Sequence, residues 1–187
     1  LCEVLSENIT DGFYEKLLNY LLSRELSHFD GVVVLHGTDT LAFTSSLAAM
    51  ALRHSGVPTG FVSADRPLED GKGNGLLNFR GALEYIRAGG KGFFVPYYES
   101  GKVFIHLASR VPEITAFSDG FGSRACSDAV GFVGSGALQM ENNIEIKPGT
   151  RLFTEKISFG RKVLLIKSYP GIDYSTFDVG ERNIAAV

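Results

Sequence analysis

Two rhythms of apolar and polar positions alternate along the first hundred residues. From Thr10 to Leu26 the apolar residues Phe13, Leu17, Leu18, Leu21 and Leu22 share one helical face, and Glu15, Lys16, Asn19 and Arg24 fall elsewhere. Thr10 stands where an N-cap belongs. Gly31–His36 is a short, wholly apolar run, the kind found as a strand inside a parallel sheet. Leu41–His54 is rich in Ala and Leu and predicts a helix, stopped by Ser55-Gly56-Val57-Pro58. Thr59–Ser63 predicts a second strand, and a polar, glycine-rich loop follows over about Asp65–Gly75. Leu76–Ala88 predicts a third helix, ended by Gly89-Gly90, and Gly92–Tyr98 another strand. Strand and helix alternating through short connections predict a doubly wound α/β sheet, mostly parallel.

The second half reads differently. "ESGKVFIHLA" predicts a hairpin turning at Glu99-Ser100-Gly101. Ser109–Ala129 is polar and irregular. "GFVGSGAL" and "RLFTEKI" are short strand candidates, and "RKVLLIKSYPG" is a stronger one. The closing "IDYSTFDVGERNIAAV" reads as a loop entering a helix that is never completed. The expected division is residues 1–155 as one α/β domain and 156–187 as a linker plus the start of a second, smaller one.

Composition narrows the function classes. Apolar residues make up 44% and charged residues 21% of the 187, a balance that supports a packed core. A net charge of −3 argues against a nucleic-acid surface, which needs a basic field. No apolar run approaches the roughly 20 residues that span a bilayer. Cys2 and Cys126 lack metal-ligand spacing and are expected as reduced thiols, which leans toward an intracellular setting. The histidines 28, 36, 54 and 106 show no i, i+4 pairing, so no metal is expected. The loop "SADRPLEDGKGNGLLN" has neither nucleotide-binding glycine pattern, so no nucleotide is expected.

Chemistry concentrates where the first apolar run meets His36-Gly37-Thr38-Asp39-Thr40. Ligands of open α/β sheets bind outside the carboxyl ends of the strands, and the helix after this run points its N-terminus there. Thr38 can hold a polarised water or donate to a developing oxyanion, and Asp39 can bind an ammonium or relay a proton. Helix capping explains a Thr and an Asp at this place equally well. Ser6 and Glu7 carry the same ambiguity: they either cap a turn or hold the two charged ends of an amino acid. Asp119, Arg124 and Asp128 read as solvated loop charges.

"LSENIT", "DGVVVLHGTDTL", "SADRP", "NGLLN" and "VLLIKSYPG", in that order, resemble the bacterial-type L-asparaginases and the related glutaminase-asparaginases. The resemblance runs from about Leu5 to Gly171. It implies a flavodoxin-like N-terminal α/β domain and a smaller C-terminal one. It also implies hydrolysis of L-asparagine to L-aspartate and ammonia through a threonine acyl-enzyme, without a cofactor, in a homodimer or homotetramer. Thr38 and Asp39 match two members of the catalytic group directly. Ser6 and Glu7 match the pair that holds the substrate's α-carboxylate and α-amine, and Ala64 the position whose carbonyl faces the substrate amide. The catalytic lysine's place falls at Gly89 without a gap; Lys91 is the nearest amine and reads equally as a solvated lysine. Asn74 stands where the family has an acid.

The attacking threonine belongs to a "TGGT" motif that this sequence does not contain. The expectation is therefore a portion of a longer enzyme, inactive alone, cytoplasmic, with a periplasmic setting left open. Two alternatives stand beside it. One is the asparaginase-like subunit of a tRNA-dependent amidotransferase, working with a partner chain. The other is a catalytically silent amino-acid-binding module, prompted by Gly89 and Asn74.

Overall fold

The computed structural model describes residues 3–114, 120–121, 129–134, 137–141, 144–151, 155–160, 162–177 and 184–186. Cys2, Cys126, Asp119, Arg124, Asp128 and the middle of "RLFTEKI" lie outside the described residues. The chain separates into two compact units, Leu1–Ile157 and Ser158–Val187.

In the larger unit, helix α1 spans Asp11–Leu22 and buries Leu17, Leu18 and Leu21, the stripe its periodicity announces. It ends short of Leu26, which opens a separate 3-10 turn, Leu26–His28. Thr10 occupies the N-cap with extended backbone, but its side chain makes no capping bond. Strand β1 (Val32–Leu35), helix α2 (Leu41–Leu52), strand β2 (Thr59–Val62), helix α3 (Gly75–Arg87) and strand β3 (Phe93–Glu99) follow. β1, β2 and β3 pair in parallel, with Leu35 level with Val62 and Thr59 level with Phe93.

The sheet then changes sense. Ser100 (φ 51°) and Gly101 (φ 84°) both take the left-handed conformation, the type I′ geometry that reverses a twisted ribbon tightly. β4 (Lys102–Leu107) therefore returns antiparallel to β3. β5 (Gly131–Gly134) and β6 (Ala137–Met140) form a second antiparallel pair beside it, completing the order β1-β2-β3-β4-β5-β6. The α/β doubly wound expectation holds, as a mixed sheet whose parallel half carries the βα units.

Both faces are covered. α3 packs on one face, where Ala82 and Tyr85 meet Val62, Phe94, Val103 and Ile105 in the main buried cluster. Tyr85 and Phe94 stack edge to face at 4.5 Å. Side chains alternate along a strand, so Phe93, Val95 and Tyr97 point to the other face, where α2 packs on β3. Among the described residues β1 has β2 as its one neighbour and is half-buried, with Leu35 74% exposed. An apolar run records that a strand is apolar, not how many neighbours it has.

In the smaller unit, β7 is only Lys162–Val163, parallel to β8, Ile184–Ala186. The strong strand expected over "RKVLLIKSYPG" is thus two residues long, with Leu165 84% exposed. The expected terminal helix is also corrected: the described residues near that end form a 3-10 turn, Tyr174–Thr176, and the strand β8.

Candidate active site

Two chain segments meet at the carboxyl edge of the parallel strands. His36 still donates its backbone N–H to the Val62 carbonyl at 2.8 Å, and there the ladder stops. Gly37 follows because nothing larger fits. A Cβ there would lie 2.4 Å from Ser6 Oγ and 2.6 Å from Ser6 Cβ. The chain then turns through Thr38, whose carbonyl accepts the Leu41 N–H at 3.3 Å, into α2. Ser6 arrives from the 3-10 turn Ser6–Asn8 and is buried against this turn.

Side-chain bonds tie the segments together. Ser6 Oγ donates to Asp39 Oδ2 at 2.6 Å, a distance within the range of charge-assisted bonds. Thr40 Oγ1 donates to the Ser6 carbonyl at 3.0 Å. Thr38 Oγ1 donates to the Ala64 carbonyl at 2.8 Å, reaching across to the end of β2. All these bonds are tertiary. The N-cap of α2 is Thr40, and it makes no side-chain capping bond. The capping reading of Thr38 and Asp39 fails on this geometry, because their side chains are engaged elsewhere.

Ser6, Thr38, Asp39 and Ala64 thus stand in one cluster. Its chemistry is that of a polar-molecule site: an exposed carboxylate, a hydroxyl whose proton is committed to a carbonyl, and the N-terminus of an α-helix. With its proton given to Ala64, Thr38 Oγ1 presents lone pairs to a donor. Glu7 lies exposed on the same short turn as Ser6.

Lys91 does not join them. It is exposed and precedes β3, and the Phe93–Thr59–Val32 register places it level with Asp30, at the amino edge of the sheet. The cluster begins at His36, about 20 Å further along at roughly 3.3 Å per residue. Gly89 (φ 78°) ends α3 at that same far edge. Both positions considered for a catalytic lysine thus lie at the amino edge of the sheet, because a strand's start and its carboxyl end face opposite ways.

Two titratable groups flank the cluster. His36 Nδ1 donates to the Gly37 carbonyl at 2.6 Å, and burial pulls the imidazole's pKa below its usual value. Glu99, at the carboxyl end of β3, is 8% exposed; burial pushes its carboxyl up, opposed by a bond from the Phe121 N–H.

Sequence reading assigned no structural role to three contributors. Thr40 and the asparagines Asn74 and Asn78 are members of this edge. Asn74 and Asn78 are 6% and 0% exposed, and each makes several hydrogen bonds. Asn74 falls in the predicted loop and Asn78 in the predicted helix, so their pairing emerges only because α3 begins at Gly75 with Asn74 as its N-cap. Among the described residues no group of three or more His, Cys, Asp or Glu is placed to hold a metal ion, and no helix is long and apolar enough to cross a membrane.

Residues 1–144 match the family model described as "Asparaginase, N-terminal". An L-asparaginase of Thermococcus kodakarensis is 28% identical over 77% of this chain and 42% of its own length. A glutamyl-tRNA(Gln) amidotransferase subunit of Pyrobaculum aerophilum is 30% identical over 89% of this chain and 41% of its own. The chain therefore spans less than half the length of these curated relatives. Among solved structures, a probable cytoplasmic L-asparaginase of Campylobacter jejuni superposes with a TM-score of 0.74 at 22% identity, covering 94% of this chain and 56% of that one. That likeness speaks for the fold.

Proposed function

The chain belongs to the asparaginase family through its N-terminal domain, and from that premise we propose that it forms part of an amidohydrolase acting on the side-chain amide of L-asparagine. The observation that carries the reading is the pair of bonds Ser6–Asp39 and Thr38–Ala64, which bring four separately predicted residues to one edge. In this reading Asp39, whose Oδ2 takes the Ser6 proton, holds the substrate's α-ammonium. Thr38, its hydroxyl aimed at Ala64, accepts a hydrogen bond from the attacking or leaving group and passes protons at the reacting amide. The Ala64 carbonyl receives the amide N–H. Ser6 and Glu7 hold the substrate's charged end, and the acyl-forming threonine belongs to the family's "TGGT" segment.

Ammonia release from L-asparagine by the full-length protein tests the proposal. Thr38→Ala and Asp39→Ala are each expected to lower kcat/KM by about 10²–10⁴-fold. Full activity in both variants sinks it.

A second reading is favoured by the relatives named as glutamyl-tRNA(Gln) amidotransferase subunits, which match up to 95% of this chain. On that reading the same edge liberates ammonia for a partner chain acting on a charged tRNA. Co-purification of the full-length protein with a second polypeptide, and ammonia release that depends on it, selects this reading over free asparagine hydrolysis.

A further inference from the structure

We propose that Asn74, held in place by Asn78, is a positioning residue that aims the Ala64 carbonyl at Thr38. The inference rests on the amidohydrolase reading and extends it to residues outside the cluster.

The Ala64 carbonyl and the Asp65 N–H belong to one peptide unit. A trans peptide is planar, and its C=O and N–H point in opposite directions. Fixing either end therefore fixes the other. Asn74 Oδ1 accepts the Asp65 N–H at 3.0 Å on one side of this unit, while the Ala64 oxygen accepts the Thr38 hydroxyl at 2.8 Å on the other. A rotation of the peptide that frees the N–H swings the carbonyl away from Thr38 by the same angle.

Asn74 is itself immobilised. Its backbone N–H donates to Asp65 Oδ1 at 2.8 Å, closing a reciprocal pair across the ends of the exposed 66–73 loop. Asn78 Nδ2 donates to Asn74 Oδ1 at 3.1 Å and to the Ser63 carbonyl at 2.9 Å. Asn78 Oδ1 accepts the Tyr98 N–H at 2.7 Å, which anchors this amide to β3. The peptides on both sides of Ala64 are thus gripped from the first turn of α3, in a place with almost no solvent. Buried polar groups this completely satisfied specify one arrangement, because each alternative leaves a donor or acceptor unpaired.

The chemistry of each substitution separates positioning from mere stability. Asn74→Leu keeps the volume and removes the acceptor for Asp65 N–H. Asn74→Asp keeps an acceptor oxygen for the Asp65 N–H and gives up only the long 3.5 Å donation from Asn74 Nδ2 to the Tyr98 carbonyl, so it restores most of the grip. Asn78→Asp keeps the acceptor for Tyr98 but loses the donor to Asn74, and sets a carboxylate oxygen against two acceptors.

The test combines amide hydrogen exchange with kinetics on the full-length protein. Asn74→Leu is expected to lose at least tenfold protection at the Asp65 amide. It should also lose about 10–100-fold in kcat, the cost of roughly an ångström of misplacement, with KM for asparagine changed less than about threefold. Asn74→Asp is expected to recover most of both losses. Should Asn74→Leu not fold, Asn78→Asp is read in the same way, with the same expected direction. An active wild type whose folded Asn74→Leu or Asn78→Asp variant keeps its kcat overturns the positioning role alone. Loss of kcat without loss of Asp65 protection also overturns it. A full-length wild type that hydrolyses no amide overturns the amidohydrolase reading, and this inference with it.

Discussion

Replacing Gly37 with alanine probes the tightest contact in the site. The new methyl carbon would stand 2.4 Å from Ser6 Oγ and 2.6 Å from Ser6 Cβ, whereas carbon atoms in contact sit near 3.5–4.0 Å. Ser6 must therefore retreat by about 1 Å. From its present 2.6 Å, such a shift stretches the bond to Asp39 beyond useful hydrogen-bond length. A hydrogen bond to a charged group contributes about 1.5–3 kcal/mol, and Asp39 is exposed, so the lower end applies. Overpacking adds about 1–3 kcal/mol. The expected destabilisation is about 2.5–4.5 kcal/mol, read from urea denaturation followed by circular dichroism. Ser6→Gly removes both atoms the methyl would strike and leaves Ser6 Cα at 3.6 Å. The double variant should then be more stable than the sum of the singles by most of the Gly37→Ala penalty, about 2–4 kcal/mol. Gly12→Ala is the control: the nearest atom is Thr10 Oγ1 at 3.9 Å, and an alanine in the first turn of α1 should stabilise slightly. A neutral Gly37→Ala, or an additive double variant, refutes the steric account.

Two further predictions follow from position and charge. Lys91→Ala is expected to leave kcat/KM of the full-length protein within about twofold, because Lys91 lies at the amino edge, about 20 Å along the strands from the cluster; a loss above tenfold would show the sheet register misplaces it. Glu99 titrates higher in the fold than in the unfolded chain, through burial. Between those two values the unfolded chain has released a proton that the fold retains, so stability falls as pH rises through this window. Glu99→Gln keeps an oxygen for the Phe121 N–H and removes the charge. It should raise the unfolding midpoint at pH 7.5, with the gain vanishing near pH 4, and equal midpoints at pH 7.5 would reject the burial account.

Much of the fold was legible in one dimension. The apolar stripe of α1, the Ala/Leu run of α2 and the Ser100–Gly101 turn each express a local rule, and each element formed within a few residues of its expected bounds. The site was legible to the extent that its residues sit at element ends. "HGTDT" follows a strand and "LSENIT" precedes a helix, and chain ends of this kind gather at the carboxyl edge of a βα unit. The C-terminal segment was misread for the opposite reason: "KVLLI" has the composition of a strand, but a strand needs a neighbour. Only Lys162–Val163 finds one among the described residues.

What the sequence determined by itself was the inventory: which stretches are helical or extended, and that Ser6, Thr38 and Asp39 carry polar groups at element ends, with Ala64 singled out only by the resemblance. Whether Thr38 and Asp39 cap a helix or bond to distant segments was decided only by the tertiary structure. A side chain's role depends on which partner lies within hydrogen-bonding reach, and for Thr38 that is the Ala64 carbonyl, 26 residues away, and for Asp39 it is Ser6, 33 residues away. The same holds for Lys91, one short loop from a helix end in sequence and a full strand length from the cluster in space. Sequence spacing measures distance along the chain, and a parallel sheet sends the two ends of every strand to opposite edges.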